Sequence, residues 1–577
     1  MKPKAIFFIL IFMSAFPFTS AEDYAVRLNG VLVDGCVDCS ITGKSGLADT
    51  GTFMFIVGGG FHPMLNYHGV VVQYGKRISF AALGFAKGMV VGQPVEMKPP
   101  VSFANGCIMS PLNFLAEAIG GEIKVKATQK TLEVTAPEPL QIGDIIPEAK
   151  TLADELVKKD LIVQQGDINY TNAIAIFSAG YTTDCNGNNA GFPYFCIQAP
   201  PTPGLQFEPQ LPYVLQMRND EALVIIGQTP PPSVYFSYRS YLLNRFYADE
   251  NPPQQKKLFA SLGDTINKYN LNENRTPEKR HKKFFVVIST ADRSTLREIR
   301  SALQRCGISI DDLYIDVIPG DKVRFGTDQS GDGISLLHRV ALFNDKEQGE
   351  KYRKRPTLEI LRITPARHIR PDFLSAPPLR SRISGRTEDH LLPTVEQLRE
   401  AIITKYSKKY DVYEPKTSVW LVEGYEAIKK RLNVLGETRD TLYLRSEEFS
   451  FDKGDIIIVY GVNHVMSRKA RYSNVSCYGA EFFNGFGGIT NLDYKGTAAE
   501  FIQDGKKAEA LYVWKFARRK LDETTFVVPI DKKKTYEGIN YGDKAFMGFR
   551  AYIDPITKVG PSASEVILDR VIVLKEK

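Results

Sequence analysis

Apolar and polar residues change their spacing several times along the chain, and each change predicts a different kind of structure. Residues 22 to 136 contain short apolar runs broken by glycines, which is typical of strands joined by tight turns. One helix interrupts these strands, because apolar residues recur at helical spacing between Pro111 and Gly120. Ser110 is the predicted N-cap of this helix and Gly120 its stop. Alternating residues then predict a hairpin that ends at Val134.

The rest of the chain predicts two larger domains. Residues 137 to 148 are rich in proline and are expected to form a linker. Residues 149 to 350 hold strand patterns and a β-α-β unit, which indicates a mixed α/β domain. Residues 392 to 577 begin with helices and continue as strand after strand, which favours a sandwich-like, β-rich domain. The predicted fold class is α+β and multidomain.

The N-terminal residues predict export. Residues 1 to 21 combine Lys2 and Lys4 with an apolar run and end in small residues, the pattern of a cleaved signal peptide. The expected protein is secreted or extracytoplasmic, in the cell envelope, with no membrane span after signal removal. A hydrophobic content of 43% and a net charge of +7 are ordinary for a globular protein and do not indicate a nucleic-acid partner.

A basic, proline-rich connector is predicted at residues 351 to 391. Residues 351 to 386 hold ten Lys or Arg against two acids. Such runs are usually solvated surface chain, and a linker is the favoured interpretation. The alternative is docking to an anionic polymer or envelope surface.

Seven cysteines are too few to form the main scaffold of an exported chain of this length. Cys185 and Cys196 bracket a turn-rich segment and are the candidate disulfide. Cys36 and Cys39 have the spacing of a redox or metal motif, but a zinc site needs four ligands and no second pair is present. A structural or incidental role is favoured for them, and no metal site is predicted.

One segment, residues 90 to 134, carries a recognisable set of positions. They are Gly92-Gln93-Pro94-Val95, Asn105-Gly106, Pro111-Leu112, Phe114, Ala116-Glu117-Ala118 and Gly120. In these positions the segment resembles the copper amine oxidase-like N-terminal domain, or stalk domain, of bacterial secreted proteins. A weaker resemblance extends over residues 22 to 136. The chain departs from the family pattern at Ser110 and Asn113, where Val and Arg are usual.

The resemblance implies a small, non-catalytic extracellular module with an α+β fold, attached to varied partner domains. Amine oxidase activity itself is disfavoured. That reaction needs a copper held by three imidazoles and a tyrosine that becomes the cofactor. The seven histidines include no His-x-His pair, and Asn169-Tyr170 is followed by Thr171 rather than by an acid. No cofactor is predicted.

Residues 459 to 479 are the strongest candidate for a catalytic site. His464 and Asn463 end an apolar strand, and Arg468 and Tyr472 follow closely in sequence. Such a set could polarise a carbonyl or bind a carboxylate. A histidine satisfied by local hydrogen bonds is the favoured alternative, because no partner base or nucleophile is identifiable.

Aromatic residues cluster with arginines near residue 240. Tyr235, Tyr238, Arg239 and Tyr241 could form a stacking platform for sugars or other planar ligands. Core packing is the favoured interpretation, because alternate rings of a strand enter the interior.

The segment from Asp328 to Gly333 resembles the start of a calcium loop. Its twelfth position is Arg339, where such a loop requires a bidentate carboxylate, so a polar turn is predicted instead. The sequence also lacks a nucleophile elbow, a zinc-protease motif, a Walker loop and a dinucleotide-binding fingerprint.

The leading functional hypothesis is an exported envelope protein in which a stalk-like module spaces or docks two larger domains, with binding or assembly at the surface as its work. The alternative is a secreted hydrolase with a site near His464. A third hypothesis is a redox protein that uses Cys36 and Cys39.

Overall fold

A computed structural model describes residues 21–42, 45–63, 69–104, 106–191, 194–203, 213–271, 277–368 and 370–577. The predicted signal peptide falls almost entirely on residues 1 to 20, outside the described residues. Within the described ranges, the strands group into three regions along the chain, and the fold is α+β and multidomain as predicted. No helix of the described part is long and apolar enough to cross a membrane.

The N-terminal domain, residues 21 to 136, consists of two sheets that enclose two helices. Helix α2 contacts strands of both sheets and buries its apolar face in the core between them. The sheet orders are β11-β12-β1-β2-β3-β10-β9 and β4-β5-β6-β7-β8. The elements are β1 (Glu22–Leu28), β2 (Val31–Thr42), β3 (Ser45–Asp49), α1 (Thr50–Ile56), β4 (Gly60–Pro63), β5 (Gly69–Tyr74), β6 (Arg77–Ala82), β7 (Lys87–Val90), β8 (Gln93–Glu96), β9 (Ser102–Ala104), β10 (Cys107–Pro111), α2 (Leu112–Ile119), β11 (Glu122–Lys126) and β12 (Thr131–Thr135).

The helix and hairpin predicted in this domain are present, but the predicted cap is wrong. Gly120 ends α2 with φ of 70°, a left-handed conformation that suits glycine. The N-cap is Pro111. Ser110 lies inside β10, where its hydroxyl is 2.7 Å from that of Thr50 in α1. It therefore links β10 to α1 and does not cap α2.

The central domain, residues 137 to 365, is built on one large sheet of order β17-β16-β21-β14-β13-β22-β15-β19-β20, with β18 beside β16. Only β19 and β20 pair in parallel among these described strands. Helices α3 and α5 pack together over one face of the sheet. The elements are α3 (Pro147–Val157), β13 (Leu161–Thr171), α4 (Ala173–Ser178), β14 (Tyr194–Gln198), β15 (Ala222–Gln228), β16 (Ser233–Tyr247), β17 (Gln254–Ser261), β18 (Ile266–Asn267), β19 (Phe284–Thr290), α5 (Arg293–Arg305), β20 (Leu313–Val317), β21 (Gly333–Phe343), α6 (Lys346–Lys354) and β22 (Leu358–Pro365).

The C-terminal domain, residues 389 to 577, contains two facing sheets with an apolar core between them. Their orders are β23-β33-β27-β30-β31 and β24-β25-β32-β28-β29, with β26 beside β32. Helices α7 and α9 cover the outer face of the first sheet. The elements are α7 (Leu392–Tyr406), β23 (Tyr410–Tyr413), β24 (Thr417–Val419), α8 (Gly424–Lys430), β25 (Thr441–Ser446), β26 (Phe449–Ser450), β27 (Ile456–Val462), β28 (Tyr472–Gly479), β29 (Gly485–Thr490), α9 (Gly505–Glu509), β30 (Leu511–Ala517), β31 (Thr525–Val527), β32 (Lys544–Tyr552) and β33 (Arg570–Glu576).

The basic segment differs from the predicted connector. Residues 351 to 365 complete α6 and form β22, which is buried in the central sheet because its residues are mainly apolar. The remaining described chain is bound to the two larger domains rather than solvated throughout: the amide of Asp372 donates to Asp292 of the central domain, and later residues bind the C-terminal domain. Arg382 Nε donates to Glu423 at 2.6 Å, and the amide groups of Ser384 and Gly385 donate to Glu565.

The predicted linker at residues 137 to 148 is held by one buried carboxylate. Glu359 of β22 accepts hydrogen bonds at 2.9 to 3.1 Å from the amide groups of Gly143, Ile145 and Ile146. These donors stand immediately before α3, where backbone N–H groups have no intrahelical acceptor. The linker is therefore a fixed connection between the first two domains.

Glu359→Gln is expected to lower the free energy of unfolding by about 1–3 kcal/mol, because an amide NH2 group would face backbone donors. Urea unfolding followed by circular dichroism measures the change. The matched control is Glu347→Gln, at an exposed glutamate paired with Lys351, which should cost less than about 0.5 kcal/mol. Equal losses in the two variants would contradict the assigned role of Glu359.

Candidate functional site

His464 is buried and enclosed by carboxylates. Its Nδ1 atom is 2.9 Å from Glu388 Oε1, and its Nε2 atom is 3.3 Å from Asp569 Oδ2. Burial disfavours the charged imidazole, but the two carboxylates outweigh burial and raise the pKa of His464 well above its usual value. A protonated ring with both nitrogens engaged is a poor general base, so this geometry favours a structural ion cluster.

The other residues of that predicted catalytic set do not converge on His464. The Asn463 side chain accepts from the amide of Val465. Arg468 is exposed to solvent. Tyr472 is buried in β28, where its hydroxyl accepts a hydrogen bond from Asn474.

The predicted aromatic platform is part of the core. Tyr235, Tyr238 and Tyr241 of β16 are fully buried, so no ring face is open to a planar ligand. Arg239 is paired with Asp316 at 2.6 Å. The rings therefore stabilise the central domain.

The predicted Cys185–Cys196 disulfide is not formed, and both thiols are free and buried. Cys196 lies in β14, with Asn169 of β13 as its ladder partner. The backbone of Cys185 instead bonds to Phe482 of the C-terminal domain. The segment between them is thus held by interdomain contacts.

The calcium-like segment forms a polar turn. Asp328 accepts from the amide and hydroxyl groups of Ser330, and Asp332 is buried in an ion pair with Arg245. Across the described residues, no group of three or more His, Cys, Asp or Glu side chains is arranged to hold a metal ion.

A mainly apolar cavity lies between the central and C-terminal domains. Its volume is about 110 Å³, of the same order as the ~150 Å³ of an engineered cavity that binds benzene. We call it the arginine cavity, because Arg339 of β21 and Arg550 of β32 both line it. Its aromatic wall is formed by Tyr194, Tyr213, Phe259, Trp420 and Tyr443.

The two arginines cross the domain boundary in opposite directions. Arg339 Nη2 donates to the carbonyl of Gly436 in the C-terminal domain at 2.6 Å. Arg550 Nη2 donates to the carbonyl of Gly187 in the central domain, also at 2.6 Å. Each side chain is 4% exposed. The site therefore depends on both domains being in place.

Neither guanidinium has a carboxylate partner among the described residues. Arg339 Nη1 donates to the hydroxyl of Tyr241, and Arg550 Nη1 donates to that of Tyr478. Burial raises the pKa of Tyr241 to about 12 and also raises that of Tyr478, so both hydroxyls are neutral at pH 7. Since arginine stays protonated in proteins, the cavity carries two positive charges that no carboxylate of the described residues balances.

The other polar side chains at the cavity are uncharged except for Lys257. Lys257 is neutralised by Asp184, whose two oxygens lie 2.8 and 2.9 Å from Nζ. The Oδ1 atom of Asn186 is buried and accepts no hydrogen bond from the described residues. No Asp or Glu is among the described residues that line the cavity. The arrangement suits an anion with an apolar body and one hydrogen-bond donor.

Sequence reasoning did not identify this site. In the sequence, Arg339 stands out only as a residue unsuited to a calcium loop, and Arg550 belongs to none of the candidate sites. Both lie in strands that are mainly apolar, in the segments SLLHRVALF and KAFMGFRAY. A charged residue inside such a pattern is rare unless it is paired or functional, and this was the available signal.

His464→Gln is expected to destabilise the fold by about 3 kcal/mol at pH 6, because it leaves buried carboxylates unpaired. The pKa of His464 is raised above 6.5, so its proton stabilises fully below that pH, and this contribution is lost as pH rises through the folded-state pKa. The pKa of Glu388 is lowered from 4.5, so the stability that its ionised carboxylate contributes to the fold is lost only as pH falls below that value.

Urea unfolding at pH 6 and pH 9 therefore should show a smaller loss for His464→Gln at pH 9. His390→Gln, at an exposed histidine near Glu388, serves as the control and should change stability little at either pH. A pH-independent loss for His464→Gln would rule out the ion cluster.

The redox hypothesis requires Cys36 and Cys39 of β2 to act as a reactive pair. Residues three positions apart in a strand point to opposite faces of the sheet, so these two side chains are on different sides. Cys36 is exposed, whereas burial, with smaller contributions from Asp38 and Asp49, raises the pKa of Cys39 to about 12. Iodoacetamide at pH 8 is expected to alkylate Cys36 and spare Cys39 in the native protein. Both should react after unfolding; comparable native rates, measured by peptide mass spectrometry, would support the redox hypothesis instead.

Comparison with known proteins gives no family for this chain. No protein-family model and no curated protein matches it. A crystal structure of the VPA0106 protein from Vibrio parahaemolyticus matches with a TM-score of 0.32 and 10% identity, covering 75% of this chain and 96% of that chain. An uncharacterized protein from Burkholderia cenocepacia matches with a TM-score of 0.34 and 9% identity, covering 75% and 87%. At these scores the likeness assigns no function, which has to follow from the cavity itself.

Proposed function

We propose that this is an exported cell-envelope protein that binds a small organic anion in the arginine cavity. The observation that carries the proposal is the pair of buried guanidinium groups, Arg339 and Arg550, that face one cavity with no carboxylate among its described lining residues. Burial of an unpaired charge costs several kcal/mol, and an anionic ligand would offset that cost.

The expected ligand joins a carboxylate to an aromatic or other apolar body. Guanidinium groups bind carboxylates through parallel hydrogen bonds, and each arginine here has N–H groups beyond the two that bind protein atoms. Trp420 and Tyr443 supply ring surfaces for an apolar body. The small volume excludes a polymer chain from the interior, so a polymer could enter only by its end group.

The N-terminal domain has a supporting role in this proposal. Its resemblance to stalk domains at residues 90 to 134 suggests a spacer or docking module. Residues 366 to 386 remain a candidate surface for an anionic envelope polymer, although Arg382 is already paired with Glu423. Hydrolysis near His464 is not favoured, because the enclosed and protonated imidazole has no access to substrate.

Benzoate is the probe for the arginine cavity, and benzamide is its uncharged counterpart. Isothermal titration calorimetry on the full chain is expected to show one benzoate per protein and at least about tenfold weaker binding of benzamide. Arg550→Met and Arg339→Met should each weaken benzoate binding at least about tenfold, because each removes one charge-assisted donor. Arg300→Met, at an exposed position of α5, is the matched control and should leave the affinity unchanged.

The thermal unfolding profile of each variant establishes that it is folded before the titration. Equal affinity for benzoate and benzamide would contradict anion recognition. Unchanged benzoate binding in both cavity variants would place the site elsewhere.

A further inference from the structure

A second cavity lies on the other side of the wall that closes the arginine cavity. Its volume is about 280 Å³, and it shares the lining residues Leu421 and Tyr443 with the first cavity. We call it the Glu437 cavity. Val419, Val422 and Leu442 form much of its apolar surface.

Glu437 is the buried acid of this cavity. It is 2% exposed, and its Oε1 atom accepts from the amide and hydroxyl groups of Ser261 at 3.2 and 2.5 Å. Within the described structure, its Oε2 atom accepts no hydrogen bond and no cation lies within ion-pair distance of it. Burial raises the pKa of Glu437, as expected for a carboxylate without a cationic partner.

A second unpaired polar group lines the same cavity. The Oγ1 atom of Thr441 is buried and has no hydrogen-bond partner in the described part of the chain. Unsatisfied buried hydroxyl groups are rare in native proteins, so Thr441 Oγ1, in the same cavity as Glu437, indicates a missing donor.

The remaining charges around the cavity are already balanced. Glu423 is paired with Arg382 and Arg439, and exposed Glu426 is paired with Lys430. The carboxylate of Glu437 is therefore the one lining charge, among the described residues, that has no opposite partner.

We propose that the Glu437 cavity binds a small organic cation, a protonated primary amine whose ammonium group donates to Glu437 Oε2 and Thr441 Oγ1. The short apolar body of this amine packs against Val419, Val422 and Leu442. An ammonium group has three donors and no acceptor, which matches the two acceptors that the cavity offers. This inference stands apart from anion binding in the arginine cavity.

The probe is butylammonium, with 1-butanol as the uncharged molecule of similar shape. Titration calorimetry at pH 8 on the full chain is expected to show one site with a dissociation constant of about 1 mM or lower, and at least about tenfold weaker binding of 1-butanol. Glu437→Gln keeps an acceptor for Ser261 and should weaken butylammonium binding at least about tenfold. Glu426→Gln, at the exposed rim, should change it less than about twofold.

Val419→Trp provides a test that leaves Glu437 intact. Val419 is 50% exposed at the cavity, so a bulky ring there should block entry of the amine with little effect on the core. Absence of saturable butylammonium binding, equal binding of 1-butanol, or unchanged binding in both Glu437→Gln and Val419→Trp would each overturn the proposal. Benzoate titration of the same variants separates this outcome from failure of the arginine cavity.

Discussion

The arginine cavity depends on two buried arginines, each of which donates a hydrogen bond across the boundary between the central and C-terminal domains. Arg339 reaches from the central sheet to the carbonyl of Gly436, and Arg550 reaches back from the C-terminal sheet to that of Gly187. Placing a guanidinium in a protein interior is costly unless its donors are satisfied. These acceptors are in place only when both domains are folded together, so the cavity and the domain junction form together.

A short segment of the C-terminal domain makes most of this junction. Gly436 adopts φ of 72°, and a Cβ atom there would lie 2.8 Å from the ring of Phe259, so only glycine fits. Glu437 binds Ser261, and Asp440 accepts from Tyr235 and Asn267 of the central domain. These three residues, which lead into β25, thus attach the C-terminal domain to the central sheet at separate points.

Local patterns predicted the elements well, whereas the site depended on contacts that no local pattern contains. The helix α2 and the hairpin after it follow from apolar spacing and from Gly120, all within one short stretch. The partners of His464 lie 76 and 105 positions away, at Glu388 and Asp569. Arg339 and Arg550 belong to different domains, and only the fold brings both to one cavity whose described lining holds no carboxylate.

The two cavities share Tyr443 and Leu421, and the peptide from Gly436 to Glu437 has one residue facing each. One guanidinium is held by the carbonyl of Gly436, and the next residue presents the unpaired carboxylate. If a ligand that enters one cavity displaces this shared wall, ligand binding in the two cavities is thermodynamically linked. Linkage is reciprocal, so the factor by which an anion on one side alters affinity for a cation on the other must equal the reverse factor.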